Sequence, residues 1–365
     1  NNYNAKTYID LTLAEGLTFR TNLTYEEQNY YRSTFRNKLV GDGAPGGDAS
    51  KAYTRTSTIG FNQLVNYKTT FGDHNLEFLL GHESQDLKID QLYGNRAGLI
   101  VDGNTELINF VTTTNLGSLQ DNLKEESYFG RANYNFANKY FVSSSLRRDG
   151  SSRFGPSFKW GTFWSVGGSW SIDKEKFMED ISWVNHLKFR SSYGELGNSR
   201  GIGYYPYQAL FELDYNNQGE SGFLRSSLGN PELQWETSKN FDVALEFGIF
   251  ERLNGSVEFY NKESDNLLFA VPVALSDGIA TRQANIGTLF NRGIEVSLSY
   301  DIINKEDLNW NINVNASTLQ NEFTSLPQEE IINGTKKLKV GKSLFDYWIR
   351  DWYGVDPADG SGLFV

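Results

Sequence analysis

The stretch Asn240-Phe241-Asp242-Val243-Ala244-Leu245-Glu246-Phe247-Gly248-Ile249 decides how the rest of the chain is read. Phe241, Val243, Leu245, Phe247 and Ile249 are apolar, and Asn240, Asp242, Glu246 and Gly248 between them are polar or small. Successive side chains of a strand point to opposite faces, so this segment has one greasy face and one wet face. The same period returns on the C-terminal side. Leu253, Val257 and Phe259 alternate with Asn254, Ser256 and Glu258. Ile294, Val296, Leu298 and Tyr300 alternate with Glu295, Ser297, Ser299 and Asp301, and Trp310, Ile312 and Val314 with Asn311, Asn313 and Asn315. A tight turn and a long loop alternate between these segments, as in an up-and-down antiparallel meander.

Towards the N-terminus the pattern repeats in the rows Thr7-Ile9-Leu11-Leu13, Leu17-Phe19-Leu23-Tyr25, Ile59-Phe61-Val65-Tyr67 and Leu76-Phe78-Leu80. It continues in Tyr128-Gly130-Ala132-Tyr134-Phe136, Tyr140-Val142-Leu146, Trp164-Val166-Trp170 and Leu187-Phe189-Tyr193. Polar, Gly-rich sequence predicts long loops over 31–52, 92–123, 149–159 and 197–234, the last with an extra strand near 205–215. One or two helical turns are expected over 173–180 with Asp173 as N-cap, and a final strand over 345–353. Short connections fall near Glu15, Gly72, Asn138, Glu251 and Lys305, with 173–185 somewhat longer. Long ones fall near Gly43, Val101, Gly155, Gly219, Asp277 and Asn333. A meander with this alternation has all its short turns at one end, which is the asymmetry of outer-membrane barrels. Tyr67, Phe136, Tyr140, Phe250 and Trp310 gather near the short turns, as an interfacial girdle requires.

The expected fold is all-β: an up-and-down antiparallel transmembrane β-barrel of about 13 strands. Single-chain bacterial barrels have an even strand number, and an open sheet leaves unpaired edges in hydrocarbon. The expectation is therefore a partial barrel domain over 1–365, inside a longer protein. Asn1-Asn2-Tyr3 opens directly into strand-like sequence with no signal peptide in it, as expected if a leader was removed or the sequence starts inside a longer protein. Composition agrees. The 365 residues are 15% aromatic with 35 glycines and one Met, mean hydropathy is -0.49, and no run approaches the ~20 apolar residues of a spanning helix. With no Cys, disulfides and thiolate metal sites are excluded. A net charge of -11 argues against a nucleic-acid partner. A soluble sandwich or propeller shares the period-2 alternation, but no blade-like repeat is present.

Particular strings then become familiar. Leu146-Arg147-Arg148-Asp149-Gly150-Ser151-Ser152-Arg153-Phe154-Gly155, Trp160-Gly161 and Trp164-Ser165-Val166-Gly167-Gly168-Ser169-Trp170-Ser171 resemble one block of the SusC/RagA family of TonB-dependent outer-membrane transporters. Leu187-Lys188-Phe189-Arg190-Ser191-Ser192-Tyr193-Gly194 with Gly197-Asn198 is similar to the next. Asn230-Pro231-Glu232-Leu233-Gln234-Trp235-Glu236, Asn285-Ile286-Gly287 and Asn291-Arg292-Gly293-Ile294-Glu295 resemble later ones. The resemblance covers 128–323 and extends over the chain. It implies a 22-stranded barrel, a plug domain, and a TonB box coupling to the inner-membrane motor. It also implies a SusD-like surface lipoprotein as partner, and import of oligosaccharides or peptides through outer-membrane lipid. Plug, TonB box and closing C-terminal strands are not found in this sequence, so TonB would be reached through a segment outside it.

Catalysis has little support, and no cofactor is expected. His74, His82 and His186 stand on separate elements, and His82-Glu83 lacks the second His of a zinc motif. Ser169 is not in a nucleophile elbow. Asp356, Asp359 and Gly360 lack full calcium-loop spacing and read as a turn. The sequons at Asn22 and Asn254 fall in predicted strands. Binding is the better role. Arg147, Arg148, Asp149 and Arg153 would stand near the outer rim, where they hydrogen-bond a substrate or form an internal ion-pair network that stiffens the wall. Tyr204, Tyr205 and Tyr207, with Phe211 and Tyr215, offer stacking surfaces for a glycan or the lipoprotein, or pack the long loop on itself. The competing class is a secreted β-rich glycan-binding protein or glycanase, for which no carboxylate pair flanking a bond can be nominated.

Overall fold

The computed structural model describes residues 1–333 and 335–365. Along the chain come β1 (Asn2–Ala14), β2 (Leu17–Arg36), β3 (Asp48–Phe71), β4 (His74–Leu99), β5 (Phe110–Phe136) and β6 (Tyr140–Ser151). Then follow β7 (Trp160–Ser171), β8 (Val184–Asn198), β9 (Phe211–Asn217), β10 (Glu220–Arg225), β11 (Glu236–Ile249) and β12 (Leu253–Asp265). The last are β13 (Leu268–Pro272), β14 (Thr281–Asn285), β15 (Thr288–Lys305), β16 (Leu308–Ser317), β17 (Gln320–Ser325), β18 (Glu330–Asn333), β19 (Lys336–Lys339), β20 (Trp352–Val355) and β21 (Gly362–Phe364). Thirteen of them share the principal sheet among the described residues. The chain forms two compact units: Asn1–Lys68, Phe78–Gly130 and Arg147–Arg153 make the first, and Thr69–Glu77, Arg131–Leu146 and Phe154–Val365 the second.

In the first unit β1 pairs β2, and β2 pairs β3, both antiparallel. In the second, β7 pairs β8, β8 pairs β11, β11 pairs β12, β12 pairs β15 and β15 pairs β16, all antiparallel. Hairpins β9–β10 and β13–β14 are side excursions with sheets of their own. Several strands run further than their hydrophobic alternation suggested. β2 continues to Arg36 and β3 starts at Asp48, so the expected loop over 31–52 shrinks to 37–47. The one expected over 92–123 shrinks to 100–109. Where Arg32, Ser33 and Thr34 stand against Ser50 and Lys51 both faces are polar, so period 2 disappears from the sequence while the backbone ladder continues, although Phe35 and the buried Ala49 and Phe110 lie in the same extensions.

Three further details differ from expectation. Residues 345–353 are not a sheet strand; only β20 begins there, paired with β21. The thirteenth place belongs to β17, which pairs the first half of β15 while β16 pairs the second. Gly293 marks the handover: a Cβ there would stand 1.9 Å from the Thr318 carbonyl oxygen, so the crossing demands glycine. The turns after β7 are 3-10, Ile172–Lys174 and Lys176–Met178, and the residue preceding the first is Ser171, not Asp173, with no side-chain cap.

Short connections stay short: two residues after β1, β3 and β15, three after β5 and β11. Ala137, Asn138, Phe250 and Glu251 turn with positive φ of 52–56°. This suits the right-handed twist of tight hairpins but strains L-residues. Aromatic rings form a chain at this end of the second unit. Centroid distances are 4.9 Å for Phe71–His74, 4.7 Å for His74–Phe136, 6.3 Å for Phe136–Tyr140 and 6.4 Å for Tyr140–Trp170. Phe177 joins Trp170 at 6.5 Å, and Trp183 meets Phe250 at 5.8 Å. Glu175, in the connection after β7, accepts bonds from the Tyr140 hydroxyl (2.5 Å), Trp170 Nε1 (3.0 Å) and Lys139 Nζ (3.3 Å). The Tyr140 hydroxyl, with Trp170 and then Lys139 behind it, holds the Glu175 carboxyl below its ordinary value.

The apolar faces remain uncovered. Leu245 is 40%, Ile294 47% and Trp310 53% exposed, whereas Ala244 on the opposite face is 2% exposed. A soluble sandwich would bury that greasy face against a second sheet. Buried apolar residues instead form two small clusters away from those rows. One joins Leu267, Ile286, Leu289, Phe323, Ile331 and Leu338. The other joins Phe154, Ile202 and Leu233, with Trp235 packed against it.

Candidate functional site

The polar face of the second unit is built by register. Arg190 on β8 stands opposite Ala244 on β11, which stands opposite Glu258 on β12. Ala244 is small, so the Arg190 side chain passes over it and bonds Glu258 two strands away. Its Nε donates to Glu246 Oε1 at 2.9 Å and its Nη1 to Asp242 Oδ1 at 3.4 Å. Ser192 also donates to Asp242. One cation thus gathers three carboxylates from two strands. His186 lies at the edge of this hub, 3.8 Å from Glu246 and 3.7 Å from Asp173.

Further along the same face amides and hydroxyls predominate, with Glu295 and Asp301 the carboxylates among them. Ser297 Oγ donates to Asn315 Oδ1 (2.9 Å), and Asn311 Nδ2 donates to Ser299 Oγ (3.0 Å) and Asp301 Oδ1 (2.7 Å). Asn313 Nδ2 donates to Asn311 Oδ1 at 2.6 Å. This ladder of amides and hydroxyls is exposed and presents both donors and acceptors, which a polar solute can bond. The alternation of β15 and β16 announces these residues in the sequence; the Arg190 hub was not singled out, and its signal was only a lone Arg facing alternate Asp and Glu.

The residues nominated from sequence fall in both units. In the first, Arg147 Nε donates to Asp149 Oδ1 (2.6 Å) and Nη2 to Ser127 Oγ (2.8 Å), with Glu83 Oε2 3.6 Å away. Its guanidinium lies 5.0 Å from the centroid of the Phe129 ring, and that ring covers Gly81 so closely that a Cβ there would stand 2.3 Å from it. Arg147 and Asp149 are therefore brought together in a wall network. Arg148, exposed and next along β6, turns to the other face. Arg153 donates its backbone N–H to Ser151 Oγ at 3.4 Å. In the second unit the Tyr204 and Tyr205 rings lie 6.4 Å apart. Tyr207 accepts a bond from Gln208 Nε2 at 2.6 Å and lies against Gly155.

Two sequence blocks prove to be clamps. Asn230 donates to the Gln283 carbonyl (3.0 Å) and accepts from Arg282 (3.0 Å), while Asn285 accepts from Gln234 N–H (2.8 Å) and donates back to its carbonyl (2.7 Å). Leu233 is fully buried beside Phe154, whose ring lies 5.0 Å from Trp235. Asp356 and Asp359 accept N–H bonds two residues on, from Ala358 and Ser361 at 2.8 Å, as ordinary turn residues. Among the described residues no group of three or more His, Cys, Asp or Glu is arranged to hold a metal.

Residues 1–362 match the family model for TonB dependent receptor-like β-barrels. A TonB-dependent receptor of Formosa agariphila is 32% identical over 98% of this chain and 35% of its own length. The TonB-dependent receptor SusC of Bacteroides thetaiotaomicron is 28% identical over 73% of this chain and 27% of its own. The chain thus spans between about a quarter and two fifths of the length of the curated relatives it matches. Among solved structures, the RagAB peptide importer in its closed-closed state superposes with a TM-score of 0.87 and 26% identity, over the whole of this chain and 43% of that one. These relatives are receptors and an importer, not enzymes. The chain belongs to the TonB-dependent receptor-like β-barrel family of the bacterial outer membrane.

Proposed function

We propose that this chain is a wall segment of a SusC-like, TonB-dependent importer that passes oligosaccharides or peptides across the outer membrane beneath a SusD-like lipoprotein. The observation that carries the reading is the division of one sheet into an uncovered apolar face and a charged and amide-lined face. The first matches lipid, the second a watery lumen. The similarity to the RagAB peptide importer supports a peptide cargo. The Asn and Ser ladder bonds peptide amides and sugar hydroxyls alike, so both cargoes stay within the reading. On this account the plug and TonB box belong to the longer protein. Arg147, Arg148, Asp149, Arg153, Tyr204, Tyr205 and Tyr207 remain candidate contacts for substrate or lipoprotein.

The test uses the full-length protein in its host. Growth on a peptide or oligosaccharide as sole nutrient should require the gene, and should fail when the TonB box is deleted although the barrel still assembles. Growth unaffected by either change contradicts the proposal.

A further inference from the structure

The connection from β7 to β8, 172–183, is long for the short-turn end, and Glu175 fixes where it lies. Asp173 still meets His186 of the polar face at 3.7 Å. Two residues on, Glu175 accepts bonds from the Tyr140 hydroxyl (2.5 Å) and from Trp170 Nε1 (3.0 Å). Trp170 stands opposite Phe189, and Phe189 opposite Leu245 of the uncovered row. Residues opposite one another in a ladder share a face. The connection therefore crosses the rim between 173 and 175 and folds onto the apolar side of the wall. Phe177 continues that side: its ring lies 6.5 Å from Trp170 and is 63% exposed. At the tip of the adjacent hairpin Phe250 is 66% exposed beside Trp183, with ring centroids 5.8 Å apart and the Phe250 N–H donating to the Trp183 carbonyl (2.8 Å).

Phe250 keeps a φ of 56°, which a bulky side chain rarely adopts and glycine takes freely. A ring held at such a position and left open points to something outside this chain that it meets. The occupant follows from continuity. Phe177 extends the apolar row past the last residue of β7, to the level where hydrocarbon gives way to headgroups, and aromatic rings concentrate at that boundary. Lys174, Lys176 and Arg252 stand exposed among Glu179, Asp180 and Glu251. The phosphate and ammonium groups of a zwitterionic phospholipid answer both signs, whereas a strongly acidic or basic protein answers only one. A partner arriving from the periplasm would meet the turn tips first, whereas Glu175 lays Phe177 against the side of the wall.

We propose that the connection 172–183, tethered by Glu175, is a membrane-interface anchor. It seats Phe177, with Trp183 and Phe250, among zwitterionic phospholipid headgroups at the periplasmic side of the outer membrane. The proposal rests on the importer reading only in taking the apolar rows as the lipid side. The test uses the full-length protein, freed of any cysteine outside this sequence, at one copy per phosphatidylcholine nanodisc so that no second copy can shield it. A fluorophore is attached at Phe177→Cys, Glu179→Cys or Leu245→Cys. Quenching is read with aqueous iodide and with phospholipid brominated high or low on its acyl chains. Interfacial segments sit ~5–10 Å into the headgroup boundary, so the label at 177 should be quenched about threefold more by high than by low bromines and should resist iodide. The label at 179 should be quenched by iodide, and that at 245 by bromine alone. Glu175→Ala should open the 177 label to iodide, while Glu175→Gln, which keeps an acceptor for Tyr140 and Trp170, should preserve its shielding. Heat-modifiable migration of each variant on a gel shows that its barrel is folded. Iodide quenching at 177 equal to that at 179, with 245 still shielded, overturns the anchor and leaves the importer reading intact. A 177 label that stays shielded in folded Glu175→Ala overturns the tether, and iodide quenching at 245 overturns the lipid-facing assignment beneath both readings.

Discussion

Two regions of the second unit use the same apolar residue types in opposite ways. Along β11, β12, β15 and β16 the large apolar side chains stand in rows that nothing covers. Where β13–β14, β17 and β18–β19 gather beyond the end of β15, Leu267, Phe323, Ile331 and Leu338 are buried in a small core. The difference identifies the solvent beside each. A segment in water must bury its apolar groups. A strand in hydrocarbon need not, provided its backbone is paired and its polar groups face inward.

This contrast makes distinct predictions for the two regions. The largest effect is expected in the small core. Phe323→Ala should cost about 3–5 kcal/mol through the cavity it leaves. The damage should be confined to the segments around that core: limited proteolysis should cut 318–345 while the barrel stays heat-modifiable. Next is Leu245→Arg on the exposed row, which should cost about 2–4 kcal/mol at mid-membrane depth, seen as lost outer-membrane assembly in folding titrations. If Leu245→Arg assembles normally and Phe323→Ala abolishes assembly, the contrast between the regions is wrong.

The polar face should be softer. Arg190→Gln should cost only about 1 kcal/mol, because the group is partly exposed and solvent screens its pairs, and high salt should shrink the difference. Ala244→Leu should match or exceed that loss by blocking the path of Arg190 to Glu258. At the short-turn end, Glu175 has a folded pKa lowered from 4.5. Its contribution is therefore present above pH 4.5 and is lost as the pH falls through the lowered value. The acid limb of a denaturation profile should show this, and Glu175→Gln should flatten it. The smallest effect is a gain: Glu251→Gly should stabilise by about 1 kcal/mol, relieving a positive φ of 55°.

The sequence exposed the meander wherever membrane imposes alternation, as in 240–317, and some of the turns through Gly16, Gly72 and Asn138. It hid the strand extensions of β2 to β5, because polar runs such as 32–34 carry no period while the backbone ladder continues through them. It also hid the role of β17, since pairing at Gly293 depends on a close backbone approach that no periodicity reports. Of the candidate site, the Asn ladder was legible in every second residue of β16. The Arg190 hub depended on the register of β8 against the β11–β12 hairpin, which follows it only after a long intervening segment. The string from Asn230 to Glu236 was legible as a family block, but its clamp onto Asn285 required coordinates.

The most direct test of the central claim places single cysteines in this sequence, which contains none, in a full-length background from which any cysteine outside it has been removed. Single substitutions Val257→Cys, Glu258→Cys, Ile294→Cys, Glu295→Cys, Ile312→Cys and Asn313→Cys would be spin-labelled in the full-length protein, in lipid bilayers. Accessibility to oxygen, which concentrates in lipid, and to a water-soluble nickel chelate would then be measured. Labels at 257, 294 and 312 should favour oxygen, and those at 258, 295 and 313 the chelate, alternating residue by residue. Equal accessibility to the chelate on both sets would contradict the account, because the apolar rows would then face water.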